Sequence, residues 1–233
     1  MTQITTRALL IDMDGVLVDS TPAVARTWAS WAAKYGMEAD YVVKYAHGRT
    51  SLNTIRELLP TATNETHLAE NQWMEDAEIA DVADVVALPG TQELLAAIPS
   101  SQFAVVTSAS RKLAEVRLRA AGLWQFAKNL VTSSDIQRGK PDPEPYLKGA
   151  AKLAIPAKEC VVIEDAPSGT RSGRAAGARV LALRTTTPDE ELRAAGANWI
   201  INDCSSIQLL AATTKGLHLE LLAEATIRTP KMS

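Results

Sequence analysis

Two carboxylates, Asp12 and Asp14, stand one residue apart in ALLIDMDGVLVDS, residues 8–20. Acids at the end of an apolar run are costly to bury unless they hold a cation or do chemistry. Three more groups of reactive type follow along the chain. They are Thr107-Ser108-Ala109 in VVTSAS, Lys140 in GKPDPEPY, and Glu164-Asp165 in VVIEDAPSGT. Together they suit phosphoryl transfer through a covalent aspartyl intermediate. Asp12 is the candidate nucleophile. A carboxylate attacking a phosphate dianion meets repulsion that a hard cation must offset, and Mg²⁺ with oxygen ligands fits. Asp12 and Asp165 are the expected ligands, Asp14 adds its main-chain carbonyl, and Glu164 belongs to the direct or the outer shell. Lys140 supplies a fixed positive charge near Asp12. The hydroxyl of Thr107 or of Ser108, with adjacent amides such as that of Ala109, would take a phosphate oxygen. Asp14 would act as general acid to the leaving alcohol and then as base for water.

For these groups to meet, the elements carrying them must end on one side. Ala8–Ile11 is short and wholly apolar, as a strand buried on both faces would be. Further strand-like runs are Phe103–Val106, Leu130–Val131, Val161–Ile163, Val180–Leu183 and Trp199–Ile201. Helical stretches separate them at 111–121, 143–154, 168–176 and 188–195. This alternation predicts an α/β fold, a three-layer parallel sheet of Rossmann-like type with right-handed crossovers. Such sheets bind ligands at the carboxyl ends of their strands, where every reactive group above falls. Residues 20–86 carry no parallel-sheet strand. Val24, Trp28, Trp31 and Tyr35 share one helical stripe, read as packing, after Thr21 as N-cap and Pro22 in the first turn. Helices are also expected at about 51–59 and at 64–80, the latter capped by Asn64. The predicted organisation is a catalytic core of residues 1–18 and 87–233 with a helical cap at 19–86. The tail, 216–233, is expected to form an amphipathic helix.

Composition narrows the partners. The 233 residues are 46% hydrophobic and 22% charged, with a net charge of −3. That balance gives no electrostatic footprint for nucleic acid or an anionic membrane, and no apolar stretch is long enough to span a bilayer. Cys160 and Cys204 do not make a disulfide framework, and Cys160 reads as a packed thiol. MTQITTR lacks the features of a secretory signal. A cytoplasmic monomer or homodimer acting on a small phosphorylated metabolite is expected.

The four motifs, in this order, resemble those of the haloacid dehalogenase superfamily of phosphatases across about residues 7–203. The resemblance implies the same fold, Mg²⁺, an aspartyl-phosphate and the roles given above to Asp12, Asp14, Lys140 and Asp165. Within that family the cap segment AHGRTSLNTI is similar to the HG-x-R-T stretch of sugar- and polyol-phosphate phosphatases, with one residue fewer between Gly48 and Arg49. His47 and Arg49 are therefore expected substrate contacts under the cap. Asp14 argues against a dehalogenase, which lacks the second acid. A related sugar phosphomutase keeps a histidine where this chain has Val24, so hydrolysis is expected over mutase activity. A non-catalytic phosphometabolite-binding protein would not need Asp14.

Overall fold

The computed structural model describes residues 2–46 and 49–222. In chain order the elements are β1 (Thr2–Thr6), β2 (Ala8–Ile11), β3 (Val18–Asp19), α1 (Thr21–Lys34), α2 (Ala39–Ala46), α3 (Ser51–Leu58), α4 (Asn64–Ala80), β4 (Val86–Ala87) and α5 (Thr91–Ala97). Then come β5 (Phe103–Val106), α6 (Arg111–Ala120), β6 (Leu130–Val131), α7 (Glu144–Lys152), β7 (Cys160–Glu164), α8 (Pro167–Ala175), β8 (Arg179–Leu183), α9 (Asp189–Ala194), β9 (Trp199–Ile201), β10 (Ile207–Thr213) and β11 (Gly216–Leu221).

Six strands form the parallel sheet in the order β6-β5-β2-β7-β8-β9. β2 is central because every residue in it is apolar and buried, which suits a strand covered on both faces. Its register pairs Ile11 with Val105 on one side and with Ile163 on the other. The carboxyl ends of β2, β5 and β7 are thereby flush. Two apolar layers sandwich the sheet: Leu9, Ile11, Phe103 and Val161 face one, and Ala8, Leu10, Val106 and Val162 face the other. Helices on both faces make the expected three-layer α/β architecture.

Helices α1–α4 lie between β3 and β4, two short strands that pair antiparallel at the junction. The four helices share a core of their own around Trp28, Trp31, Val42, Ile55 and Met74. The aromatic stripe of α1 thus packs as expected, with Trp28 and Trp31 edge to face at 5.5 Å. Arg26 of α1 forks onto Asp81 and Asp84, tying the helix to the segment that leads into β4.

Several local expectations need correction. Ser20, not Thr21, occupies the N-cap of α1, and its hydroxyl makes no cap bond. Thr63, not Asn64, caps α4, its side chain accepting from the Thr66 amide at 3.1 Å. Helices α2 and α5 carry no signal that the sequence reading used. The expected tail helix is a strand at Gly216–Leu221, pairing antiparallel with β1 and β10 in a second sheet. The remainder of that expected helix, 223–233, lies outside the described residues. Among the described residues no helix is long and apolar enough to cross a membrane.

Candidate active site

Asp12 follows directly on β2, its amide donating to Ile163 O at 3.0 Å. The turn behind it is tight because Gly15 adopts φ +78, a conformation side chains resist. A Cβ on Gly15 would also lie 2.1 Å from Asp165 Oδ2, so the glycine lets the acid after β7 approach the first turn. Glu164 closes β7 and is buried. α8 passes so near that a Cβ on Gly169 would fall 1.6 Å from Glu164 Oε1.

Lys140 joins these acids from the loop before α7, across a cis bond to Pro141. Its Nζ donates to Asp12 Oδ1 at 2.5 Å, to Glu164 Oε1 at 2.7 Å and to Val106 O at 3.3 Å. Burial works to lower the lysine's pKa, but the Asp12 and Glu164 carboxylates hold it above the ordinary range. Asp12 is pushed up, first by burial and then by Glu164 and Asp165, with Lys140 opposing. Glu164 accepts from Lys140 and Tyr146 on one oxygen and from the Asp165 and Ala166 amides on the other. Asp165 Oδ2 accepts from the hydroxyl of Thr186.

Each of Asp12, Glu164 and Asp165 places a carboxylate oxygen within 4.8 Å of the others, all three buried. One ammonium against three buried carboxylates leaves two negative charges in excess. An all-oxygen donor set of that charge suits a divalent cation. With Glu164 taken up by four hydrogen bonds, Asp12 and Asp165 are the side chains that could hold it.

After β5, Thr107 is buried and its Oγ1 accepts from the Ala109 amide at 3.0 Å. That bond keeps Thr107 within its own loop. Ser108 and Ala109 line a cavity of about 390 Å³ that also opens onto Asp12, Asp14, Lys140 and Asp165. The structure thus brings together every core residue the sequence singled out, with Thr107 also lining the cavity. On the side of α2 and α3 the cavity meets Arg49. Its guanidinium pairs with Glu57 at 2.5 Å and stacks 4.6 Å over the ring of Tyr45. His47 lies outside the described residues. Val24 and Trp28 also line the cavity, so the packing stripe of α1 supplies part of its wall.

The sequence reading missed Ser20, Glu78 and Arg117, all of them cavity residues. The Ser20 hydroxyl donates to Asp14 Oδ1 at 2.6 Å, which explains its absence from the helix cap. Arg117 Nη1 donates to the same oxygen at 3.0 Å. A signal did exist. Arg117 falls on the apolar face of α6 with Leu113 and Leu118, and Glu78 falls on the buried face of α4 with Met74.

Residues 6–177 match the haloacid dehalogenase-like hydrolases, and the chain belongs to that family. Its relatives include named phosphatases. The chain is 38% identical to hexitol phosphatase A of Escherichia coli over 76% of its own length and 82% of the relative's. It is 32% identical to glycerol-1-phosphate phosphohydrolase 2 of Saccharomyces cerevisiae, over 87% of this chain and 84% of that one. A hydrolase from Pseudomonas syringae has a similar structure, with TM-score 0.76 and 26% identity, over 85% of this chain and 94% of that one.

Proposed function

We propose that the chain is a Mg²⁺-dependent phosphomonoesterase for a small sugar or polyol phosphate, with residues 19–86 serving as its cap. The observation that carries this reading is the meeting of Asp12, Lys140 and Asp165, all buried, in the lining of one cavity. Asp12 Oδ attacks phosphorus while the ester P–O bond breaks, and the leaving alkoxide takes its proton from Asp14. Water then attacks the aspartyl-phosphate, giving a proton to Asp14. The bond from Asp12 to phosphorus breaks, and free phosphate leaves. Lys140 keeps Asp12 placed and shares its charge with the incoming phosphate. The hydroxyl of Ser108 holds another phosphate oxygen, whereas the Ala109 amide, the other expected donor, is taken up by Thr107 Oγ1. Asp12, Asp165 and the Asp14 carbonyl would hold Mg²⁺, which when bound offsets the repulsion between Asp12 and the phosphate. Glu164 stands behind Lys140 as its anchor.

The substrate class is supported by the two relatives, whose names specify hexitol and glycerol-phosphate substrates. Arg49, on the cap side of the cavity, would hold a phosphate or hydroxyl oxygen. The test is phosphate release across hexitol, hexose, glycerol and nucleotide monophosphates with Mg²⁺. Release concentrated on polyol and sugar esters is expected. Preference for nucleotides, or no release from any ester, would refute the reading.

A further inference from the structure

Arg117 is 4% exposed, inside the boundary between α6 and the cap helix α4. A guanidinium so placed needs acceptors all round. Its Nη1 donates to Asp14 Oδ1. Its Nη2 stands 3.4 Å from Glu78 Oε2, an ion pair without a hydrogen bond, and both Nε and Nη2 lack hydrogen-bond partners. Two donor nitrogens of a buried arginine are thus left without an acceptor, and one of them, Nη2, faces Glu78 of α4.

Asp14 is gripped at one end only. Ser20 and Arg117 both donate to Oδ1, and Oδ2 takes no hydrogen bond among the described residues. Two donors converging on one oxygen fix the carboxyl's plane and leave the other oxygen for the cavity. Glu78 holds the far side of the same guanidinium from the last turn of α4. One turn earlier, Glu75 accepts from the Ser110 hydroxyl at 2.6 Å, where Ser110 caps α6. Through these two acids α4 sits on α6, and the Glu78 contact reaches Asp14 through one side chain, that of Arg117.

We propose that Arg117 is a positioning residue: it holds Asp14 with Oδ2 toward the leaving-group oxygen, and Glu78 ties that orientation to the seating of the cap. The proposal rests on the acid–base role of Asp14 given above. It does not require Arg117 to touch substrate. A purely structural ion pair would serve every substrate alike. A positioning role would matter only where Asp14 must deliver a proton.

The experiment compares an alkyl ester, glycerol 1-phosphate, with an aryl ester, 4-nitrophenyl phosphate, whose leaving group departs without a proton. Leaving-group release is measured in a single turnover with the full chain: wild type, Asp14→Asn as reference, Arg117→Gln and Glu78→Gln. Arg117→Gln should slow release from the alkyl ester by about 30-fold or more, a large part of what a general acid supplies. Release from the aryl ester should change less than about threefold, and the concentration giving half the maximal single-turnover rate should hold within the same factor for both esters. Glu78→Gln should show the same selectivity at about five- to tenfold. If Arg117→Gln does not fold, Glu78→Gln decides by that criterion. Equal losses on both esters, or none on either, overturn the proposal. A wild type inert to both esters, or an Asp14→Asn that spares the alkyl ester, refutes the underlying reading instead.

Discussion

Lys140 and Glu164 form an ion pair at 2.7 Å with only 3% and 1% of their side chains exposed. Breaking a pair this deep strands a charge, at a cost of about 3–5 kcal/mol. Glu164→Gln shows why no neutral isostere fits. One carboxylate oxygen faces Lys140 and Tyr146, and the other faces two backbone amides. Whichever way the new amide turns, its NH₂ meets two donors. The variant should lose about 3–5 kcal/mol in urea unfolding, and its turnover should fall with it. A loss under about 0.5 kcal/mol, the size of an ordinary surface change, would show that Glu164 does not anchor Lys140.

The surplus of negative charge around Asp12 sets the response to metal. Mg²⁺ should raise the thermal midpoint of the wild type, with about 2.7 kcal/mol of stabilisation at a hundred times its Kd. Asp12→Asn removes one of the two expected side-chain ligands. That variant should fold, since its oxygen can still accept from Lys140 and one crowded charge is gone. Its Mg²⁺-induced shift should shrink to less than half, and turnover should drop at least about a thousandfold for want of a nucleophile. An undiminished shift in the variant would mean that Asp12 does not hold the ion.

Both cysteines are buried. Burial pushes the Cys160 thiol up to about 11 and the Cys204 thiol up to about 12. The folded chain therefore keeps both protons above the ordinary thiol range, where the unfolded chain has lost them. Their contribution to stability is complete below about pH 8.5 and declines as pH rises toward those values. At pH 8 native protein should resist iodoacetamide and keep its activity, whereas urea-unfolded protein should take up two equivalents, one for each cysteine. Fast alkylation of the native form would contradict the packed-thiol reading.

The parallel sheet was legible because its strands are apolar on both faces and short, so composition alone marks Phe103–Val106 or Trp199–Ile201. The second sheet was not. Leu217, Leu219 and Leu221 alternate as a strand does, and all three are buried. But six residues with leucines at 217 and 221 also fit a helix face, and one of the strand's two partners, β1, lies at the other end of the chain. The reactive acids were legible by their place at strand ends. Arg117 was passed over because a helix in RKLAEVRLRAAG shows so many charges that the one turned inward does not stand out. Ser20 read as part of a helix start, and only the fold reveals that its hydroxyl is engaged by Asp14.

The last prediction concerns where the phosphoryl group goes. Hydrolysis and phosphoryl transfer within a sugar share the first step, in which Asp12 takes the phosphoryl group and Asp14 protonates the leaving oxygen. They divide at the second. A mutase must exclude water and present a sugar hydroxyl, which takes a cap group that couples closure to the sugar. The position where the related mutase keeps its histidine is Val24, and Val24 lines the cavity beside Trp28. A valine side chain can neither hydrogen-bond a hydroxyl nor move a proton. The wall it forms with Trp28 gives a sugar ring an apolar surface to rest on, but nothing that orients its free hydroxyl toward Asp12. Water needs no such orientation, and Asp14 faces the same cavity to accept its proton. With glucose 1-phosphate as substrate, free phosphate should therefore exceed glucose 6-phosphate by at least about tenfold, the ratio that about 1.4 kcal/mol of barrier difference produces. Phosphorus NMR of one reaction mixture reads both products. Glucose 6-phosphate accumulating with little free phosphate would show that a sugar hydroxyl outcompetes water, and would make the chain a mutase.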